Sequence, residues 1–323
     1  MTKPIVSICC ITYNHAPFIC KALEGFLKQE PPIGMSADEP WYEILIHDDA
    51  STDGTDAIIR EYADKYSDRI FPLYEEENLY PKIGVARIDL LNFKRAKGKY
   101  IAYCEGDDYW TDTKKLQKQI AFMETHPEYS VCFHGNSIYD ERKGEISPSR
   151  DFERFKTTNN GDEIGIDITV TDFFNGYYGL PLTMLFRVAM YDFDWYKQYK
   201  YYRDTHETYH LLRAGKGYWM NFNGAVYVQH NGGISTSVDT DQRCLEEREH
   251  VMELYLHNRN DKELQAHLVK ILLWNHDVYK REGRVREFYS ILRSYWKNVP
   301  MILLRVYGTI CKRYVKECLM CKV

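Results

Sequence analysis

The sequence predicts an α/β fold with a mainly parallel, doubly wound sheet, followed by a helical C-terminal appendage. Short β-branched apolar runs alternate with segments whose apolar residues recur at helical spacing, and the connections between them are short. Polar clusters directly follow three of the apolar runs. Ligands of an open parallel sheet bind beyond the carboxyl ends of its strands, so these clusters are expected to converge on one crevice.

Four strands and three helices are expected in the first 104 residues. The run from Ile5 to Thr12 is nearly continuous in apolar character, as a strand that is buried on both faces requires. Pro17 suits the first turn of the following helix, because the N–H that proline lacks has no partner there. The other strands are expected at Tyr42–His47, Ile70–Tyr74 and Lys99–Cys104, and the helices at Pro17–Leu27, Asp56–Tyr66 and Val85–Ala96.

The second half of the chain has a less regular pattern. We expect a strand at Leu182–Arg187, a helix that begins near Asp204, two strands and a glycine loop within Tyr218–Gly233, and helices from Thr240 to the end. The polar region from Gly144 to Gly179 is expected to be irregular.

Three carboxylates, Glu105, Asp107 and Asp108, follow the last of the four strands. Carboxylates this close repel one another unless a cation neutralises them, and Mg²⁺ or Mn²⁺ prefers oxygen ligands. The hypothesis is a metal site for a diphosphate. The alternative is an acidic turn that stays hydrated, as most surface carboxylates do.

Four motifs in order resemble the family 2 glycosyltransferases of GT-A fold. They are Val6-Ser-Ile with Thr12-Tyr13-Asn14, Asp48-Asp49-x-Ser51-Thr52-Asp53-Gly54-Thr55, Gly84-x-Ala86-Arg87, and Gly98 to Trp110. Order and spacing match through about residue 125, and less specifically through about residue 238. Glu105 departs from the Asp-x-Asp signature of many relatives, and its longer side chain puts the geometry of the donor in question.

The resemblance implies the organisation of the chain and its donor site. A GT-A domain would occupy 1–238, with a nucleotide-sugar half (1–125) and an acceptor half (126–238), before a helical region (239–323). The implied donor contacts are Thr12, Tyr13, Asn14, Asp49, Arg87, Glu105, Gly106 and Asp107.

The resemblance also gives individual roles to these side chains. Tyr13 would stack on the base through its flat ring, or else only cap the sheet edge. Asp49 would accept an N–H of the base, which for a pyrimidine suggests uracil, whereas Asp48 would support the loop. The forked guanidinium of Arg87 suits phosphate oxygens, although a lone helical Arg is often merely solvated.

For the metal, Mn²⁺ or Mg²⁺, the resemblance makes Asp107 the direct ligand. Glu105 would lie at the ribose or reach the metal through water. His230, in the glycine-rich segment that resembles the family's closing loop, would help to hold the metal or the diphosphate, because neutral imidazole is a common ligand. A purely structural His230 remains open.

The acceptor hydroxyl must lose its proton as it attacks, so a base is needed. Relatives carry a base Asp just before a helix, where this chain has Arg203-Asp204. Asp204 is the candidate base, with an N-cap as its structural alternative. Glu207 is the next candidate and His206 also lies nearby. A single base, with no nucleophile supplied by the enzyme, implies a direct displacement that inverts the anomeric configuration. The resemblance implies inversion as well.

Composition limits location and partners. The formal net charge of −5 gives no reason to expect nucleic acid. An odd number of cysteines, nine, several of them within apolar strands, suits reduced thiols in the cytosol. We expect neither a signal peptide nor a membrane-spanning segment, and hence a cytoplasmic enzyme.

The basic and aromatic segment 290–323 has two equally supported interpretations. It can lie in a membrane interface, which would place the enzyme at the inner face of the membrane. It can instead pack on the catalytic domain or on another subunit of a homo-oligomer.

The predicted function is an inverting glycosyltransferase that moves a sugar from a nucleoside diphosphate donor, a UDP-sugar, to a glycan or lipid-linked acceptor. One alternative, a sugar nucleotidyltransferase, would normally carry a Gly-rich basic loop after the first strand, which Thr12–Pro17 lacks. The other is a non-catalytic partner that binds nucleotide sugars or glycans. The presence of Arg87, Glu105, Asp107 and Asp204 disfavours it.

Overall fold

The computed structural model describes residues 3–36, 39–83, 85–149, 165–176, 179–233 and 239–320, without the side chains of 85–87 and 317–320. Two compact units are present. One consists of Met1–Tyr196 and Tyr202–Thr236, and the other of Lys197–Tyr201 and Ser237–Val323.

The first unit is built on a ten-stranded mixed sheet. Its strands are β1 (Val6–Thr12), β2 (Tyr42–Asp48), β3 (Ile70–Tyr74), β4 (Tyr100–Tyr103), β5 (Tyr109–Trp110), β6 (Tyr129–Asp140), β7 (Glu145–Pro148), β8 (Gly165–Ile168), β9 (Leu185–Arg187) and β10 (Lys216–Gln229). The main path is β3-β2-β1-β4-β9-β6-β10-β5, with β7 on β6 and β8 on β10. The first four strands of this path are parallel to one another, as are β6 and β10, which confirms the predicted α/β class.

Helices connect the parallel strands. They are α1 (Ile19–Leu27), α2 (Thr55–Lys65), α3 (Tyr80–Ile83), α4 (Val85–Arg95), α5 (Lys115–Thr125), α6 (Val170–Phe174) and α7 (Asp204–Ala214), with 3₁₀ turns at Pro181–Thr183, Val188–Met190 and Trp195–Gln198. The elements expected in the first 104 residues are confirmed, with their ends displaced by two residues at most.

The centre of the sheet is shielded from solvent, because β1 and β2 are buried along their whole length. Ile8 and Ile44 are fully buried, and so are Leu23 and Phe26 on α1 in the same core cluster. Gly98 allows the chain to enter β4 beside β1: a Cβ atom there would lie 2.6 Å from the backbone nitrogen of Ser7. The continuous apolar pattern of β1 thus reflects burial on both faces.

Three expectations for the second half need correction. Residues 216–229 form one strand, β10, rather than two. Bulges near Asn223 accommodate the polar residues, and β10 pairs with β6 both before and after them. Pro181 begins a 3₁₀ turn, so only Leu185–Arg187 of the next predicted strand is extended. The region expected to be irregular contains β7, β8 and α6, and its residues 150–164 lie outside the described part.

The second unit is helical, as predicted from Thr240 onward. Its helices are α8 (Thr240–His257), α9 (Lys262–Arg281), α10 (Val285–Ser294) and α11 (Pro300–Met320). Asp239 and Asp261 cap α8 and α9 by accepting backbone N–H bonds from the first turns. Within the described ranges, none of the helices combines the length and apolar character needed to cross a membrane.

Candidate active site

The loops after β1 and β2 are joined by hydrogen bonds. The Asn14 N–H donates to Ser51 Oγ (2.8 Å), Asn14 Oδ1 accepts from the Thr52 N–H (2.8 Å), and the Ala16 N–H donates to Asp53 Oδ2 (3.0 Å). Asn14 adopts the left-handed conformation (φ 57°), which Asn tolerates better than most residues. Asn14 therefore connects two loops at the carboxyl edge of the sheet.

Asp48 and Asp49 both organise loops in the structure. Asp48 accepts from the Ser51 N–H (3.1 Å) and from its hydroxyl (2.5 Å), which confirms its predicted supporting role. Asp49 accepts from the N–H groups of Leu79 (2.7 Å) and Tyr80 (3.0 Å) at the start of α3. Each carboxylate oxygen retains a second lone pair, so recognition of a base by Asp49 stays a prediction.

Tyr13 and Thr12 lie where the acidic segment meets the end of β1. The Tyr13 side chain is 41% exposed, as a ring that stacks on a ligand must be. The Gly106 N–H donates to Ile11 O (2.9 Å), and a Cβ atom on Gly106 would come within 2.9 Å of Thr12 Oγ1. The absence of a side chain at Gly106 thus lets the acidic segment pack directly against β1.

The three carboxylates of this segment form a cluster. Glu105, Asp107 and Asp108 each offer an oxygen within 4.8 Å of the others. Asp108 Oδ1 accepts from the Val228 N–H of β10 (2.8 Å), which fixes the segment to the far side of the sheet. Burial, followed by the charge of Asp107, raises the pKa of both Glu105 and Asp108. A cation in this position would relieve that repulsion.

Two imidazoles also lie beside Asp107. His230 Nε2 lies 3.0 Å and His15 Nε2 lies 3.7 Å from Asp107 Oδ2. The hydrogen bond to Asp107 raises the pKa of His230, whereas burial lowers the pKa of His15. Burial also acts to raise the pKa of Asp107, but His230 and His15 outweigh it, and the pKa lies below its usual value. Sequence reasoning missed His15, although its position directly after β1 placed it at this edge.

These residues fit a divalent cation. Asp107 belongs to both ligand clusters, His15-Asp107-His230 and Glu105-Asp107-Asp108. Among the described residues, the buried atoms Asp107 Oδ1, Asp108 Oδ2 and His15 Nδ1 have no hydrogen-bond partner. Buried polar atoms without partners cost free energy, and a cation ligated by the carboxylates would satisfy their oxygens.

Asp204 is the first residue of α7, and the N-cap position belongs to Arg203. Asp204 is half-buried, and its Oδ1 accepts from the Thr205 N–H (2.8 Å). Its charge is one of the causes of the raised pKa of Glu105, after burial, Asp107 and Asp89. The candidate base therefore lies electrostatically close to the carboxylate cluster.

The two competitors for the role of base are less accessible than Asp204. His206 is fully buried, and its Nδ1 accepts from the Arg203 N–H (3.2 Å). Glu207 is also buried and accepts from the hydroxyl of Tyr191 (3.5 Å). Of the three side chains, only that of Asp204 retains substantial exposure.

Sequence reasoning also missed Asp89, a buried acid on α4. Its Oδ2 accepts from the Tyr103 hydroxyl (2.6 Å), and burial together with the charge of Asp89 raises the pKa of Glu105 and of Glu207. The side chain of Arg87 and residues 234–238 of the glycine-rich segment lie outside the described residues.

An α/β sheet that gathers carboxylates and imidazoles beyond its parallel strands is the arrangement expected of the GT-A class. The chain belongs to glycosyl transferase family 2, whose model matches residues 7–179, just over half of the chain.

Relatives support this assignment. An uncharacterised Mycobacterium tuberculosis protein, Rv1520, is 44% identical over 133 residues, which are 40% of this chain and 34% of that protein. The Escherichia coli protein named UDP-Glc:alpha-D-GlcNAc-diphosphoundecaprenol beta-1,3-glucosyltransferase WfaP is 37% identical over 138 residues, covering 43% of this chain and 47% of WfaP. The matches thus span only a third to a half of these relatives.

Solved structures share the fold. Staphylococcus aureus TarS (residues 1–349), crystallised with UDP-GlcNAc, superposes with a TM-score of 0.61 over 85% of this chain and 73% of that one, at 19% identity. The mannosyltransferase PcManGT from Pyrobaculum calidifontis, in complex with GDP-Man and Mn²⁺, gives a TM-score of 0.56 over 96% of this chain and 81% of that one, at 16% identity. At identities this low, the similarity shows a shared fold and does not extend to function.

Proposed function

We propose that this chain is an inverting glycosyltransferase that uses a divalent cation, Mn²⁺ or Mg²⁺. It transfers a sugar from a nucleoside diphosphate donor, a UDP-sugar, to a hydroxyl of a glycan or lipid-linked saccharide. One observation carries the proposal: Asp107 is shared by a carboxylate cluster and an imidazole cluster beyond the parallel strands. Membership of glycosyl transferase family 2 supports it and leaves the nucleotidyltransferase alternative without support.

At the donor end, Tyr13 stacks on the base, and Asp107, with Glu105 and His230, holds the cation beside the diphosphate. When bound, the cation supplies positive charge where negative charge accumulates on the leaving nucleoside diphosphate. Arg87 adds a guanidinium for phosphate oxygens. WfaP is named as a glucosyltransferase that uses UDP-Glc, and TarS was crystallised with UDP-GlcNAc, which supports uridine. The GDP-Man complex of PcManGT makes guanosine the alternative to test.

At the acceptor end, Asp204 accepts the proton of the acceptor hydroxyl while the hydroxyl oxygen forms its bond to the anomeric carbon. The bond from that carbon to the diphosphate breaks in the same displacement, and the electron pair leaves with the nucleoside diphosphate. One displacement inverts the anomeric configuration. Asp204 suits this role because it is partly accessible and begins a helix, a rigid support.

A panel of nucleotide sugars, assayed for slow donor hydrolysis, tests this function without knowledge of the acceptor. We expect a UDP-sugar to be hydrolysed with Mn²⁺ and to be stable in EDTA. Incubation with UTP and sugar 1-phosphates, with pyrophosphate as the readout, tests the nucleotidyltransferase alternative. Release of pyrophosphate without donor hydrolysis would overturn the proposal, and hydrolysis of a GDP-sugar alone would change the base assignment.

Tyr13→Ala should weaken UDP binding by about 1–3 kcal/mol, the usual contribution of a base stacked on an aromatic ring. Tyr13→Phe is the matched control, because it keeps the ring and removes only the hydroxyl. Titration calorimetry with UDP and Mn²⁺ gives both affinities. Since the ring is 41% exposed, little stability should be lost. Equal affinities for the Ala variant and wild type would remove Tyr13 from the donor site.

We also propose a contact between the second unit and the membrane surface. Helix α11 packs on α9 through its buried residues Ile302, Leu303, Val306 and Ile310. Its exposed side carries residues at heptad spacing, namely Met301, Leu304, Gly308, Cys311 and Val315. The neighbouring exposed positions Arg305, Lys312 and Lys316 are basic. This pattern suits an anionic lipid interface and would bring the enzyme to a lipid-linked acceptor.

Replacing Lys312 and Lys316 together by Glu should reduce binding to phosphatidylglycerol vesicles. Each basic residue near an anionic surface contributes about 1 kcal/mol, so the affinity should fall by at least roughly 10-fold. Vesicle flotation measures the bound fraction, and Lys65→Glu, at an exposed position of α2, is the control for reversal of a charge outside α11. The membrane contact would be contradicted if the wild-type protein did not bind anionic vesicles, or if the double variant bound them as well as the wild type.

A further inference from the structure

We propose that His15 is an additional ligand of the cation at Asp107, and that His15 and His230 together bias this site toward borderline transition metals. Co²⁺ and Zn²⁺ would then bind in preference to Mg²⁺ and Ca²⁺. The inference rests on the proposed function for the presence of a cation, and adds to it a residue and a metal preference.

The position of His15 is fixed from both sides. Its neighbour Asn14 is bonded to Ser51 and Thr52, and the Ala16 N–H donates to Asp53. The carbonyl oxygen of His15 accepts the N–H groups of Phe18 (2.9 Å) and Ile19 (2.9 Å), which begin α1. These bonds fix the backbone of His15, and hence the point from which its ring leaves the chain.

The ring itself is held by aromatic contacts. It meets Phe18 edge-on at 6.4 Å and His230 edge-on at 6.1 Å between ring centroids. Phe18 in turn lies 4.6 Å from His230. Phe18 therefore packs against both imidazoles and supports them beside Asp107.

The distance between His15 and Asp107 suits a shared cation better than a hydrogen bond. His15 Nε2 lies 3.7 Å from Asp107 Oδ2, beyond hydrogen-bond length. Two atoms that each lie about 2.1 Å from one metal ion can be as much as about 4.2 Å apart. Because Nδ1 has no hydrogen-bond partner among the described residues, it does not fix the tautomer, and Nε2 can carry the lone pair that a ligand needs.

The preference for metals follows from the donor atoms. Oxygen ligands alone suit Mg²⁺, Ca²⁺ and Mn²⁺, whereas imidazole nitrogens favour the later first-row metals. Asp107 with one imidazole allows Mg²⁺, but a second imidazole adds a donor from which Mg²⁺ gains little. His15 should therefore strengthen Co²⁺ and Zn²⁺ binding selectively.

The test is metal binding without nucleotide, by competition titration of Co²⁺ and Mg²⁺ against wild type, His15→Gln and His230→Gln. Loss of His15 should lower Co²⁺ affinity by at least about 10-fold, since even the outer partners of metal ligands contribute that much. Mg²⁺ affinity should change by less than about threefold. His126→Gln is the control, because His126 stacks on Phe122 and belongs to neither ligand cluster.

Proton NMR of the Co²⁺-loaded protein gives a second readout, and its wild-type spectrum does not depend on a variant folding. Two sets of hyperfine-shifted imidazole signals are expected, and His15→Gln should remove one of them. One set in wild type, or unchanged Co²⁺ affinity in His15→Gln, would overturn the inference. So would a variant in which only UDP affinity falls, because His15 would then bind phosphate.

Failure of the proposed function is distinguishable from failure of this inference. Two imidazole sets in a protein that hydrolyses no nucleotide sugar would reject the function and keep His15 as a ligand. Metal-dependent hydrolysis with a single set of imidazole signals would support the function and reject His15 as a ligand.

Discussion

Asp107→Asn is expected to abolish metal-dependent donor hydrolysis and to weaken Mn²⁺ binding, with a fall in turnover of at least about 10²-fold. Asp107 is the residue that the two ligand clusters share, so its loss removes a ligand from both. The amide keeps the shape of the side chain but removes its charge. It also removes the negative charge of Asp107, which, after the hydrogen bond, contributes to the raised pKa of His230.

Asp68→Asn is the control for this experiment, because Asp68 is an exposed acid paired with Arg69. It should leave both Mn²⁺ affinity and donor hydrolysis unchanged. Calorimetry with Mn²⁺ alone separates loss of the metal from loss of the donor. Mn²⁺-dependent turnover near the wild-type rate in Asp107→Asn would remove Asp107 from the metal site.

Asp204→Asn should reduce transfer by roughly 10²–10⁴-fold, the usual contribution of a positioned general base, while UDP-sugar affinity persists. The amide preserves the hydrogen bond that Asp204 Oδ1 accepts from Thr205, so α7 should keep its first turn. It cannot accept the proton of the acceptor hydroxyl. Rates with an identified acceptor and calorimetry with UDP-sugar give the two quantities separately.

Glu207→Gln is the comparison for this variant, because Glu207 is the competing acid on the same helix. Its burial against Tyr191 predicts a loss of stability but a much smaller loss of transfer. NMR of the product should show an inverted anomeric configuration. Full transfer by Asp204→Asn would exclude that residue as the base, and a retained configuration would exclude a single displacement.

The sequence predicted the parallel half of the fold well because burial leaves a direct mark on it. Strands β1 and β2 are covered on both faces, so their residues form continuous apolar runs that polar loops interrupt. The place of the acidic segment after β4 was also predictable, because the carboxyl ends of parallel strands meet at one edge of the sheet. Strand β10 was misjudged because Asn221, Asn223 and Gly224 read as a turn, whereas pairing with β6 continues past bulges.

Two residues with partners distant in the chain, His15 and Asp89, were not predicted as parts of the site. His15 reads as one more polar loop residue until the pairing of β1 with β4 brings it beside Asp107. Asp89 reads as a solvated position of α4, and only the packing of that helix on the sheet shows that it accepts from Tyr103. Helical periodicity identifies a face but not the element that covers it.

The most direct test of a cation held at Asp107 is the anomalous scattering of manganese in crystals grown with UDP and Mn²⁺. The account predicts one strong peak within coordination distance of the Asp107 carboxylate, between the imidazoles and the diphosphate. UDP bound with no manganese peak at Asp107, or a peak whose ligands exclude that carboxylate, would contradict it.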